Sequence, residues 1–125
     1  MPSATLPLRL SDLLKYEISE CLYSRDTITL AAGNKLGLGA VLGKISADDA
    51  YTEFDPTAGD GSQIAAAVLL KPTSTGTAAV KTVALKRHSV VSRQALVWKA
   101  GVTAPEKAAA EAALTALGIV VRDAL

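Results

Sequence analysis

From Arg25 onward, turn residues cut the chain into short apolar runs, and that rhythm confines most of it to β-strands. Thr27, Ile28, Thr29 and Leu30 alternate polar and apolar as a half-buried strand requires, and the run stops at a turn over Ala31, Ala32, Gly33 and Asn34. Residues 40–45 read as another strand. Residues 46–62 hold Asp48, Asp49, Glu53, Asp55, Pro56, Gly59, Asp60 and Gly61, a polar loop with a brief strand near Tyr51. Residues 64–70 are continuously apolar and short enough for a strand buried on both faces. Lys71 and Pro72 end that run, residues 73–77 make a flexible turn around Gly76, and residues 80–91 are again strand-like.

One stretch breaks the rhythm. Thr103 is placed to cap a helix, Glu106 completes a capping box, and Pro105 is tolerated in the first turn. Ala108, Ala109, Ala110, Ala112, Ala113, Leu114, Ala116 and Leu117 follow, nearly all strong helix formers, and Gly118 stands where helices stop. A helix over residues 104–117 runs about 21 Å, and residues 119–121 return as a strand. Alanines let backbones approach closely. The face carrying Ala109 and Ala113 therefore either meets another subunit or lies on the chain's own sheet.

Residues 1–24 form a separate segment. Leu6, Leu8 and Leu10 alternate around Pro7 and Arg9, and Leu13, Leu14 and Tyr16 follow without a turn to fold them back. They form either a strand or short helix packed on the body or an extended arm that reaches a partner. Residues 25–125 make a single domain, which suits a chain of 125 residues. Only five of those residues are aromatic, so the core is built from small pieces and gains from self-association.

Charge narrows the partners. Thirteen basic residues against twelve acidic ones leave +1, scattered, with no basic stripe of the kind nucleic-acid binders carry. No uncharged run approaches the ~20 apolar residues that span a bilayer. Met1 to Thr5 lack the basic-then-apolar pattern of a signal peptide, so the chain is expected to stay in the cytoplasm of the cell that makes it. Cys21 is the single cysteine, which suits a reducing compartment.

The sequence offers no catalytic set. Gly39 and Gly43 precede Lys44, but a phosphate loop needs a longer gap and Ser or Thr where Ile45 stands; turns and tight strand packing account for these glycines. The acidic loop lacks the ligand spacing of a calcium site. His88 is the only histidine, and Cys21 lies in the arm-like segment, so neither a metal site nor a hydrolytic triad assembles, and no cofactor is expected.

Several stretches nevertheless resemble one family. Residues 23–33, from Tyr23-Ser24-Arg25-Asp26 to Ala31-Ala32-Gly33, and then Gly39-Ala40-Val41-Leu42-Gly43 resemble the start of the body in head decoration proteins of tailed bacteriophages. Asp60-Gly61 leading into residues 65–70 is similar to the family's Asp-Gly turn and buried strand. Ala95-Leu96-Val97-Trp98, the Lys- and Ala-containing helix and Ile119-Val120-Val121 resemble its C-terminal third. The likeness covers residues 12–122, with Ala67 where many members have glycine and Lys99 where lambda-type members have proline.

That resemblance implies a mainly β fold of the β-clip type with a small α/β part. It implies homotrimers on the outside of an expanded shell, at threefold and quasi-threefold positions, where they clamp adjacent major capsid subunits against packaged DNA. On this reading the protein is made in the host bacterial cytoplasm, ends on the virion surface, and involves no cofactor, membrane or nucleic acid. Leu6, Leu8, Leu10, Leu13, Leu14 and Tyr16 then belong to a capsid-binding arm, and Trp98, Ala109 and Ala113 are candidate trimer contacts. A tail, baseplate or surface-display component is the main alternative. A small β-clip enzyme would need clustered carboxylates and a phosphate loop, which the sequence lacks.

Overall fold

A computed structural model describes residues 13–17 and 24–123. The strands are β1 (Leu14–Glu17), β2 (Arg25–Leu30), β3 (Lys35–Leu36), β4 (Val41–Lys44), β5 (Tyr51–Glu53), β6 (Ala65–Leu69), β7 (Thr73–Ser74), β8 (Val80–Leu85), β9 (Ser89–Ser92) and β10 (Ile119–Arg122). The C-terminal helix α1 spans Ala104–Ala116. The body is mainly β with one C-terminal helix, as the sequence implies.

Strands β2, β5, β4, β6 and β8 close into a barrel. Its longest seam runs antiparallel from Arg25↔Leu85 to Leu30↔Val80. Closure follows from alternation: Ile28, Leu30, Leu42, Tyr51 and Leu69 turn inward, while Ala40, Ala67 and Ala84 leave them room. Each fully buried leucine contributes about 1.5–3 kcal/mol. The glycines that mimic a phosphate loop serve this packing. A Cβ on Gly39 would collide with the Ala95 carbonyl, and one on Gly43 with the Ser62 backbone.

A second layer lies against the barrel. β9 pairs antiparallel with β1 (Leu14↔Val91) and parallel with β10, from Ile119↔Ser89 to Arg122↔Ser92. Parallel neighbours need a long crossover, and α1 supplies it, which accounts for the small α/β part. Ala110 and Leu114 face a core with Leu13, Val91, Leu96 and Ile119. The capping box forms as the residues imply: the Thr103 hydroxyl accepts from Glu106 N–H, and the Glu106 carboxylate accepts from Thr103 N–H. Gly118, at φ +89°, ends the helix.

Four expectations change. Leu13 is fully buried and Leu14 half-buried against the same core, so these two residues pack with the body although they precede residue 25. The strand-like run 80–91 is two strands in two sheets. β8 stays in the barrel, β9 opens the other sheet, and His88 turns between them at φ +49° with its carbonyl held by the Ser24 hydroxyl. The turn at residues 73–77 contains β7, which pairs with β3 (Lys35↔Ser74). Ile64 sits outside the buried strand, 60% exposed.

Candidate functional site

α1 separates two grooves. On one flank, Leu96, Trp98, Ala104, Lys107 and Ala108 line about 470 Å³ bordered by Arg93, Gln94 and Glu111. Trp98 is half-buried. Its ring meets Phe54 edge-on, with centroids 6.0 Å apart, and Lys107 Nζ stands 6.0 Å from its centroid. Arg93 fixes this rim: its Nε donates to both Glu111 oxygens at 3.0 and 3.1 Å, and its Nη1 pairs with Asp123. One guanidinium thus ties the turn after β9 to α1 and to the residue after β10. Asp123 is held below its ordinary range by that hydrogen bond and charge, and the two carboxylates, Asp123 first, raise Arg93. A half-exposed Trp beside an anchored Arg is the composition of binding hot spots.

On the other flank, Phe54, Pro56, Ile64, Ala65, Ala109, Ala110 and Ala113 line a smaller groove of about 200 Å³ that is almost wholly apolar. Ile64 stands out of it. Ala113 packs partly on the core, whereas Ala109 is exposed. The helix therefore lies on its own body along Ala110 and Leu114 and presents Ala109 beside Ile64. Trp98 and the Ala109–Ala113 pair, grouped by the sequence reading, occupy opposite flanks of α1.

A third recess joins residues that the sequence scatters. Lys44, Tyr51, Lys86, Arg87, His88 and Leu117 surround about 500 Å³. Asp26 Oδ2 lies 2.8 Å from Arg87 Nη2 and 3.7 Å from Lys86 Nζ, and Lys86 also stands 5.6 Å from the Tyr51 ring centroid. The Arg87 hydrogen bond, offset in part by burial, holds the Asp26 carboxyl below its ordinary range. No local motif marks this cluster, because β2, β4 and β5 bring Asp26, Lys44 and Tyr51 to the connection after β8 that carries Lys86, Arg87 and His88.

Of the arm residues, Leu6, Leu8 and Leu10 lie outside the described residues. Leu13 and Leu14 belong to the core, and Tyr16 stands in β1 opposite Val90. The acidic loop spends its oxygens on itself: Asp55 accepts from Thr57, and Asp60 from Ser62. Among the described residues, no group of three or more His, Cys, Asp or Glu side chains is placed to hold a metal ion, and no helix is long and apolar enough to cross a membrane.

The surface is built of grooves and anchored side chains around a closed barrel, in line with the family likeness noted in the sequence. A family model described as bacteriophage lambda head decoration protein D matches residues 3–119. None of the curated proteins matches the chain. The family is one of structural phage capsid proteins and not an enzyme family, and it implies a place on the virion capsid. By a match over nearly its whole length, the chain belongs to the bacteriophage lambda head decoration protein D family.

Proposed function

We propose that the protein binds as a homotrimer to the outside of the expanded phage shell, at threefold and quasi-threefold positions, and clamps neighbouring major capsid subunits against DNA pressure. Family membership carries the reading, and the two unlike grooves beside α1 support the trimer. A ring of three identical chains needs two different surfaces per chain, one meeting the other across each interface. The Trp98 groove and the Ile64–Ala109 groove are such a pair. Residues 1–12, with Leu6, Leu8 and Leu10, act as the capsid-binding arm. Leu13 and Leu14 anchor its root. An arm that adds a strand to a partner gains main-chain hydrogen bonds, at an ordering cost of about 1–2 kcal/mol per residue, so binding depends on a well-formed partner edge. The protein is made in the host cytoplasm and acts without turnover.

Sedimentation equilibrium at micromolar concentration tests the trimer. A single species of three chains is expected, and Ala109→Glu, which puts a charge beside Ile64, shifts it toward monomer. A wild-type monomer or dimer contradicts the proposed assembly.

A further inference from the structure

The polar loop between β5 and β6 carries an Asp-Gly pair, a dipeptide whose chemistry is independent of capsid binding. In such a pair the glycine nitrogen can attack the aspartyl side-chain carbonyl carbon. A C–N bond forms, the carboxyl oxygen leaves as water, and a five-membered succinimide results. Water then opens the ring at either carbonyl. One opening restores aspartate, and the other gives isoaspartate, with the main chain rerouted through the former side chain. Water is the only co-reactant, and nothing is oxidised or reduced. Glycine favours the attack because no side chain shields its nitrogen.

The fold requires this pair. Gly61 adopts φ +109°, and a Cβ there would stand 2.5 Å from the Lys44 carbonyl oxygen and from Ser46 Oγ. Only glycine fits. Asp60 is equally committed, since its Oδ1 accepts from Ser62 N at 3.0 Å and Ser62 Oγ at 2.6 Å, and Ser62 is buried. Asp60 itself is exposed, so water reaches it.

We infer that Asp60–Gly61 is a latent isomerisation site that the folded loop holds shut. Three restraints act on the reacting atoms. Gly61 N–H donates to Gln63 Oε1 at 2.8 Å, which holds the attacking nitrogen in its planar, protonated form. The two Ser62 bonds fix the Asp60 carboxyl, and swinging its carbon onto the Gly61 nitrogen breaks them. The Asp60 carbonyl accepts from Ser46 N at 2.8 Å and pins the peptide from the other side. The Ser62 bonds also hold the Asp60 carboxyl below its ordinary range, so at neutral pH it stays an anion, the poorer electrophile. The block is conformational, because solvent is already present. Reaction therefore waits for the loop to open.

Full-length protein is held at neutral pH, folded or in guanidinium chloride, and isoaspartate at residue 60 is followed by peptide mapping. If reaction proceeds only from the open loop, the folded chain accumulates it about tenfold more slowly or less. Gln63→Ala, which frees the Gly61 N–H, accelerates the folded-state reaction severalfold at an unchanged melting temperature. Equal rates in folded and unfolded wild-type protein overturn the inference. A Gln63→Ala rate equal to that of wild type removes Gln63 from it. The wild-type comparison stands alone should that variant lose stability.

Discussion

Inside the barrel, Leu30, Leu42, Leu69 and Ala84 are closed off by strands whose edges all meet, whereas the layer around α1 stops short of closure. There the sheet β1-β9-β10 ends in two outer strands, and the core runs out into half-buried Trp98, Val102 and Ala113 and exposed Ile64 and Ala109. Both regions use the same small apolar side chains. The difference is topological: a closed sheet consumes its own edges, and an open one leaves them for a partner. The barrel thus keeps its edges to itself, whereas the layer around α1 has a buried core of its own and leaves Ile64 and Ala109 exposed beside it.

Core truncation should have the largest effect. Leu69→Ala in the barrel and Leu13→Ala in the second layer each remove a fully buried side chain, and each is expected to cost about 2–5 kcal/mol in chemical denaturation. Equal penalties would place residue 13 in the body despite its position next to the arm. A negligible loss for Leu13→Ala would return it to the arm.

Trp98→Ala sharpens the contrast. A fully buried tryptophan costs ~3–5 kcal/mol, and the half-buried ring should cost about 2 in the monomer. If a neighbour covers the ring, the remainder appears as weakened self-association, read as a rise in the trimer dissociation constant.

The smallest effect is electrostatic. Asp26 is lowered from 3.8, chiefly by its hydrogen bond to Arg87. The contribution is therefore complete above pH 3.8 and is lost as pH falls through the lower folded value. The side chain is 37% exposed, so solvent screening limits the pair to under about 1 kcal/mol. Asp26→Asn should flatten the acid limb of a stability–pH curve and leave the grooves unaffected.

What was legible in the sequence was what neighbours in the chain decide. The capping box of α1 involves Thr103 and Glu106, three residues apart, and the strands of the barrel follow from alternation at residues 27–30 and apolar runs at 40–45 and 64–70. Leu13 gave no such signal, because its core neighbours Val91, Leu114 and Ile119 come from the far end of the chain. The break in the run 80–91 was equally hidden. Lys86, Arg87 and His88 are not turn formers, yet His88 adopts φ +49° where the chain passes from one sheet to the other. Among the candidate contacts, helical spacing placed Ala109 and Ala113 on one face, but nothing local showed that Trp98 lies across α1 from them. Arg93, which bridges Glu111 and Asp123, escaped for the same reason.

The account rests on a division between a self-sufficient body and an arm that acts on the shell. Deleting residues 1–12, and so sparing Leu13 and β1, tests it most directly by co-sedimentation with undecorated expanded capsids. The truncated chain should keep its trimer and nearly its full melting temperature while no longer sedimenting with the shells that the intact protein saturates. Saturation of the shells by the truncated chain would contradict the account.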